Sequence, residues 1–136
     1  IYLFMENMDV DPKLHSIRED LHDRWKPGMK IHHSFGVRTK SYRCFAINEC
    51  ISTQRIEIEY LKERLIYSFP MLKTDSPSTG SQEIKYFRVQ IDGRYVSYDT
   101  IKTISKNDGF DDLYHFLLWF NKPFKGKIIH WTNLKY

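Results

Sequence analysis

Ile56, Ile58 and Tyr60 alternate with Arg55, Glu57 and Glu59, the period-two rhythm of a strand with one buried and one wet face. Ile51 falls out of phase with Ile56, so a bulge or break is expected near Ser52 to Gln54. Shorter apolar runs predict further strands at 1–5 (IYLFM), at 29–35 after the Pro27-Gly28 turn, and at 41–47 (SYRCFAI). RLIYSF (64–69) would extend the sheet, and YFRVQIDGRYVSY is a hairpin signal. Its Asp92-Gly93 pair supplies the positive φ angles of a two-residue type I′ turn.

The pattern changes late in the chain. Asp99 is placed to cap a short helix over Thr100 to Asn107, broken at Asp108-Gly109. A second helix should start at Asp111-Asp112, with Leu113, Phe116, Leu117 and Phe120 on one apolar stripe. Pro123 and Gly126 close that excursion before a final strand, GKIIHW. The expected fold class is α+β, mostly β: six or seven strands in a small closed or nearly closed barrel, with two short helices near the C-terminus. Residues 1–136 read as a single domain, with a Ser/Thr/Pro/Gly-rich flexible loop at about 70–83.

Composition narrows the class without choosing a function. The chain is 41% hydrophobic and 15% aromatic, which argues against disorder. Its net charge of +4 and pI near 9.0 permit a nucleic-acid partner without requiring one. Two cysteines, Cys44 and Cys50, are too few for a secreted disulfide scaffold, so buried thiols in a cytoplasmic protein are expected. No apolar run reaches the length of a membrane span, and IYLFM is too short for a signal-peptide core. His32 and His33 are adjacent, so in a strand they point to opposite faces. The cysteines lack CxxC spacing, and no metal site and no cofactor are expected.

Arg24, Lys26, Lys30, Arg38, Lys40 and Arg43 fall within twenty positions, interleaved with Trp25, Phe35 and Tyr42. Cations among aromatics suit single-stranded nucleic acid, which needs phosphate neutralisation and base stacking. An ordinary solvated surface with its aromatics turned inward fits the same spacing. In DPKLHSIRED (11–20), an extended backbone sets Lys13, His15 and Ile17 against Leu14, Ser16 and Arg18. Lys13 and Ser16 would then share a site only if the segment bends. A Lys of depressed pKa can activate a hydroxyl nucleophile, although such residues in loops are more often simply solvated. Asp108, Asp111 and Asp112 are most simply helix-capping groups.

Asp11-x-Lys13-x-x-Ser16-Ile17-Arg18, followed by Trp25-Lys26-Pro27-Gly28-Met29-Lys30-Ile31, resembles the ASCH domains of the PUA-like superfamily. SKNDGFDDLYHFLLWF and then GKIIHW are similar to that family's broken helix pair and closing strand. The likeness spans about residues 1–48 and 84–136, with 49–83 as an elaboration. It implies a small β-barrel with a cleft and RNA binding. Lys13 and Arg18 would line the cleft floor, and Trp25, Lys26, Lys30, Arg38 and Lys40 would supply surrounding nucleic-acid contacts.

One branch of that family comprises amidohydrolases that remove the acyl group from acetylated cytidine. By motif position its Lys falls on Lys13, its Thr on Ser16, its Arg on Arg18 and its carboxylate near Asp108. The resemblance thus implies an alternative in which Ser16 is the nucleophile, Lys13 its base, Asp108 a proton relay and Arg18 the oxyanion partner. Three positions depart from the pattern: Asp11 replaces Gly, Ser16 replaces Glu or Thr, and Asp108 is shorter than Glu. The implied partners are RNA or single-stranded nucleic acid, or a modified nucleoside, with no membrane. A third class, a protein-interaction module, would use the aromatic-rich end at Tyr114 to Phe124 and would require an exposed Trp119.

Overall fold

The computed structural model of the chain describes residues 13–35, 43–71 and 84–136. The strands are β1 (His15–Arg18), β2 (Lys30–Phe35), β3 (Arg43–Glu49), β4 (Ser52–Leu61), β5 (Phe69–Pro70), β6 (Tyr86–Ile91), β7 (Arg94–Tyr95) and β8 (Phe124–His130). Two helices, α1 (Tyr98–Asn107) and α2 (Leu113–Trp119), lie between β7 and β8. The fold is mostly β, of α+β class. Strands β1-β8-β4-β6-β5 form one antiparallel sheet with β7 paired to β6, while β2 and β3 pair separately. Among the described residues β1 and β5 are the sheet's edges and do not meet, so the expected closed barrel is not formed there. The strand expected at 1–5 lies outside the described residues.

Alternation along the strands sorts two cores. On one face, Ile56 and Ile58 of β4, Phe87, Val89 and Ile91 of β6, and Ile128 of β8 are buried against Ile101 and Ile104 of α1 and Phe116, Leu117 and Phe120 of α2. The expected stripe of α2 is thus the buried one. On the far face Ile31, Cys50, Ile129 and Trp131 form a second cluster, with Trp25 packed against it. That cluster joins the β2–β3 pair to the end of β8. Arg55, Glu57 and Glu59 leave β4 on the far face, as their alternation predicts.

The expected break at Ser52 to Gln54 does not occur. β4 keeps unbroken register with β8 from Ser52↔His130 to Ile58↔Phe124. Ile51 is out of phase because it precedes the strand, in the turn where the Cys50 amide bonds Met29 O and the Ile51 amide bonds His130 O. RLIYSF contributes only Phe69 to β5, and Pro70 with Met71 still runs beside β6, so residues 70 and 71 are not part of the expected loop; 72–83 lie outside the described residues. Asp92 and Gly93 take φ of 50° and 80°, the type I′ turn expected of them. Ser97 caps α1, its Oγ accepting from the Thr100 amide at 3.2 Å, and Asp99 sits in the first turn instead. Asp112 caps α2 as expected, accepting from the His115 amide at 2.8 Å.

Candidate functional site

β1 is an edge strand whose two faces carry different chemistry. Its register with β8 pairs His15 with His130 and Ser16 with Ile129. His15 and Ile17 therefore face the helices, while Ser16 and Arg18 face the second core. Asp108, the C-cap of α1, is buried, and its Oδ1 lies 3.1 Å from His15 Nδ1. Ser16 and Asp108 thus stand on opposite sides of the sheet. Lys13 does reach Asp108's neighbourhood: its aliphatic stem lies over Gly109, and the Leu14 amide bonds Asn107 O at 2.7 Å. The set Lys13, Ser16 and Asp108 is therefore not brought together, because the strand period that buries His15 turns Ser16 away.

What Asp108 does meet is a chain of buried polar groups. A carboxylate only accepts, so His15 Nδ1 carries the hydrogen and its Nε2 receives the Tyr136 hydroxyl at 2.5 Å. Asn107 Nδ2 donates to the same hydroxyl at 3.0 Å. Gln54 Oε1 accepts from the Tyr136 amide and from His130 Nε2, each at 2.9 Å. Gln54 Nε2 donates to Asp92 Oδ2 and to Tyr136 O. His130 is thus the Nε2–H tautomer, leaving a buried Nδ1 with no partner. Burial above all pushes the His130 pKa down to about 4, with the Lys135 charge adding to it and Asp92 opposing. Burial, with the Asp108 charge, raises the Tyr136 hydroxyl to about 12. A neutral phenol is a hydrogen-bonding post and not a nucleophile.

Sequence reasoning passed over His15, His130, Gln54 and Tyr136. A signal was present in KIIHW, where one histidine interrupts an apolar strand and needs a partner when buried.

The far face carries the basic candidates. The Asp20 side chain is buried, only 2% exposed. Its carboxylate accepts from the amides of Arg24 (2.7 Å) and Trp25 (3.0 Å), and Lys127 Nζ lies 3.1 Å away. Burial alone would raise the Asp20 pKa, but those amides and Lys127 hold it below the ordinary value. Asp23 binds both Lys127 and Lys26, which lower its pKa to about 2. Lys26 is thereby paired, while Lys30 and Arg18 are exposed. Trp25 packs into the second core as a half-buried wall. Arg38 and Lys40 lie outside the described residues.

Beside that wall the His33 and Trp131 rings meet edge to face at 4.6 Å. Burial lowers the His33 pKa; Asn48 opposes this, and the positive charges of Lys13 and Arg18 add to it. The Trp131 indole N–H is buried in the second core and lacks an acceptor among the described residues. Cys50 is buried and reduced in the same cluster, and Cys44's side chain lies outside the described residues. No three His, Cys, Asp or Glu side chains gather to hold a metal among the described residues. No helix there is long and apolar enough to cross a membrane.

Comparison of the chain with protein-family models, with curated proteins and with solved structures returns no match. The class defined by geometry is a mostly β, α+β domain with an ionic loop clamp and an aromatic rim of Trp25, His33 and Trp131.

Proposed function

We propose that this chain is a nucleic-acid- or nucleotide-binding module of the PUA-like ASCH type, holding its ligand at the flank of β1. The observation that carries the reading is the Trp131 indole: among the described residues its buried N–H donor has no acceptor, and its ring meets His33, whose pKa the Lys13 and Arg18 charges help to lower. Buried donors are almost always paired. A phosphate oxygen or a nucleobase carbonyl would supply the acceptor, and two cations nearby favour an anionic ligand. The deacylase alternative lacks that support, since Ser16 and Asp108 face opposite sides of the sheet.

Titrating labelled single-stranded RNA by fluorescence anisotropy tests this. If Lys13 and Arg18 each neutralise one phosphate, log K should fall with log salt at a slope of about −1.4, and Arg18→Glu should flatten it by about 0.7 or more. Trp131→Phe keeps the ring packing but removes the donor, and should weaken binding about tenfold. Salt-independent binding, or none to RNA, single-stranded DNA or free nucleotides, would sink the reading.

A further inference from the structure

Two exposed apolar features on separate parts of the surface have no role in that reading. The first is the turn between β4 and β5, where Ile66 is 76% exposed and Leu65 and Tyr67 are exposed beside it. This tip is not slack. Ser68 Oγ bonds both the amide and the carbonyl of Leu65, and the Ser68 amide returns to Leu65 O at 3.1 Å. Tyr67 takes a φ of 56°, uncommon for a bulky residue, with its ring stacked on Tyr95 at 6.1 Å. The fold therefore holds Ile66 outward. Lys62 and Arg64 stand before it with one acid, Glu63, between them.

The second feature is a groove of about 370 Å³ against α2, lined by Gly109, Phe110, Asp111, His115, Leu118 and Trp119. Trp119 is 75% exposed and Leu118 is also exposed. The polar lining of the groove is the exposed Asp111 carboxylate and His115, whose Nδ1 lies 2.7 Å from the Asp112 carboxylate that caps α2. Apolar floor and the Asp111 carboxylate are the complement of the apolar tip and its basic flank.

We propose that the groove beside Trp119 receives the Leu65–Ile66–Tyr67 tip of a second copy of this chain, with Arg64 and Lys62 meeting Asp111. Tip and groove are different patches, so the contact is heterologous: each copy offers a tip to one neighbour and a groove to another. Such association extends head to tail unless the rotation closes a ring. It brings no part of the Trp131 rim into the contact, so it stands apart from nucleic-acid binding.

Sedimentation velocity of the chain over a wide concentration range is the test. Wild type should gain mass with concentration beyond the 16.4 kDa of one chain. Trp119→Ala and Ile66→Ala should each weaken self-association by about tenfold or more, with unchanged circular dichroism. The deciding arm is their mixture: the Trp119→Ala copy keeps its tip and the Ile66→Ala copy keeps its groove. Mixed, they should form a capped dimer of twice the chain mass, and Asp111→Arg in the Ile66→Ala copy should abolish it. A wild type that stays monomeric, a mixture that stays monomeric, or loss of association with only one of the two substitutions would each overturn the proposal.

Discussion

Acid should loosen this fold through one histidine. His130 is 0% exposed, donates through Nε2 to Gln54, and leaves Nδ1 facing no acceptor. Its second proton would sit on that nitrogen, on a ring whose centroid lies 5.3 Å from that of His15, with the Lys135 charge opposing it. Asp92, bound to Gln54, gives partial relief, and the Asp108 carboxylate is already engaged by His15. The folded pKa is therefore about 4 against 6.5 for the exposed side chain. A depressed pKa means that the unfolded chain takes the proton first. Stability is complete above pH 6.5 and drains as pH falls toward 4.

Linkage puts the loss at about 2 kcal/mol by pH 5 and about 3 kcal/mol by pH 4. With an unfolding entropy of ~0.3 kcal/mol/K for a domain this size, Tm should drop by about 10 °C between pH 7 and pH 4. Asp20, Asp23, Glu59 and Asp112 all have pKa values below the ordinary range, so their ion pairs survive most of that window. Thermal unfolding by circular dichroism at half-unit pH steps, on wild type and His130→Gln, isolates the group. The amide of Gln can still donate to Gln54 but does not titrate. A variant as acid-sensitive as wild type, or a flat wild-type profile, refutes the reasoning.

Gly126→Ala should lower Tm by about 3–10 °C in the same assay, since a Cβ there would lie 2.3 Å from the Arg18 carbonyl oxygen and 2.7 Å from the Phe124 ring; an unchanged Tm would mean that β1 and β8 can part without cost. Tyr136→Phe strips His15 Nε2 and Asn107 Nδ2 of their shared hydroxyl and should cost about 1–3 kcal/mol in urea unfolding, while a neutral result would mean that water replaces the phenol.

Much of the secondary structure was legible in the chain. The Arg55–Tyr60 alternation, the Asp92-Gly93 turn and the α2 stripe all depend on residues within a few positions of one another, and local sterics and periodicity decide such features. The cap of α1 was misplaced by two residues because Ser97 and Asp99 are both good caps. Only the path of the backbone entering the helix chooses between them.

The candidate site was less legible. DPKLHSIRED displays its charges but not its partners, and the likeness that grouped Lys13, Ser16 and Asp108 is blind to which face of an edge strand a side chain leaves. Asp20 and Lys127 are more than a hundred residues apart, as are His15 and Tyr136, and no local rule pairs such groups. Chain order therefore determined the strands, turns and helices, which answer to neighbouring residues. The tertiary structure alone decided that His15 rather than Ser16 meets Asp108, that Asp20 is a buried clamp, and that Trp131 is left with an unanswered donor. Those outcomes rest on sheet register and on the burial of distant polar groups, where the cost of leaving a donor or charge unpaired selects the partner.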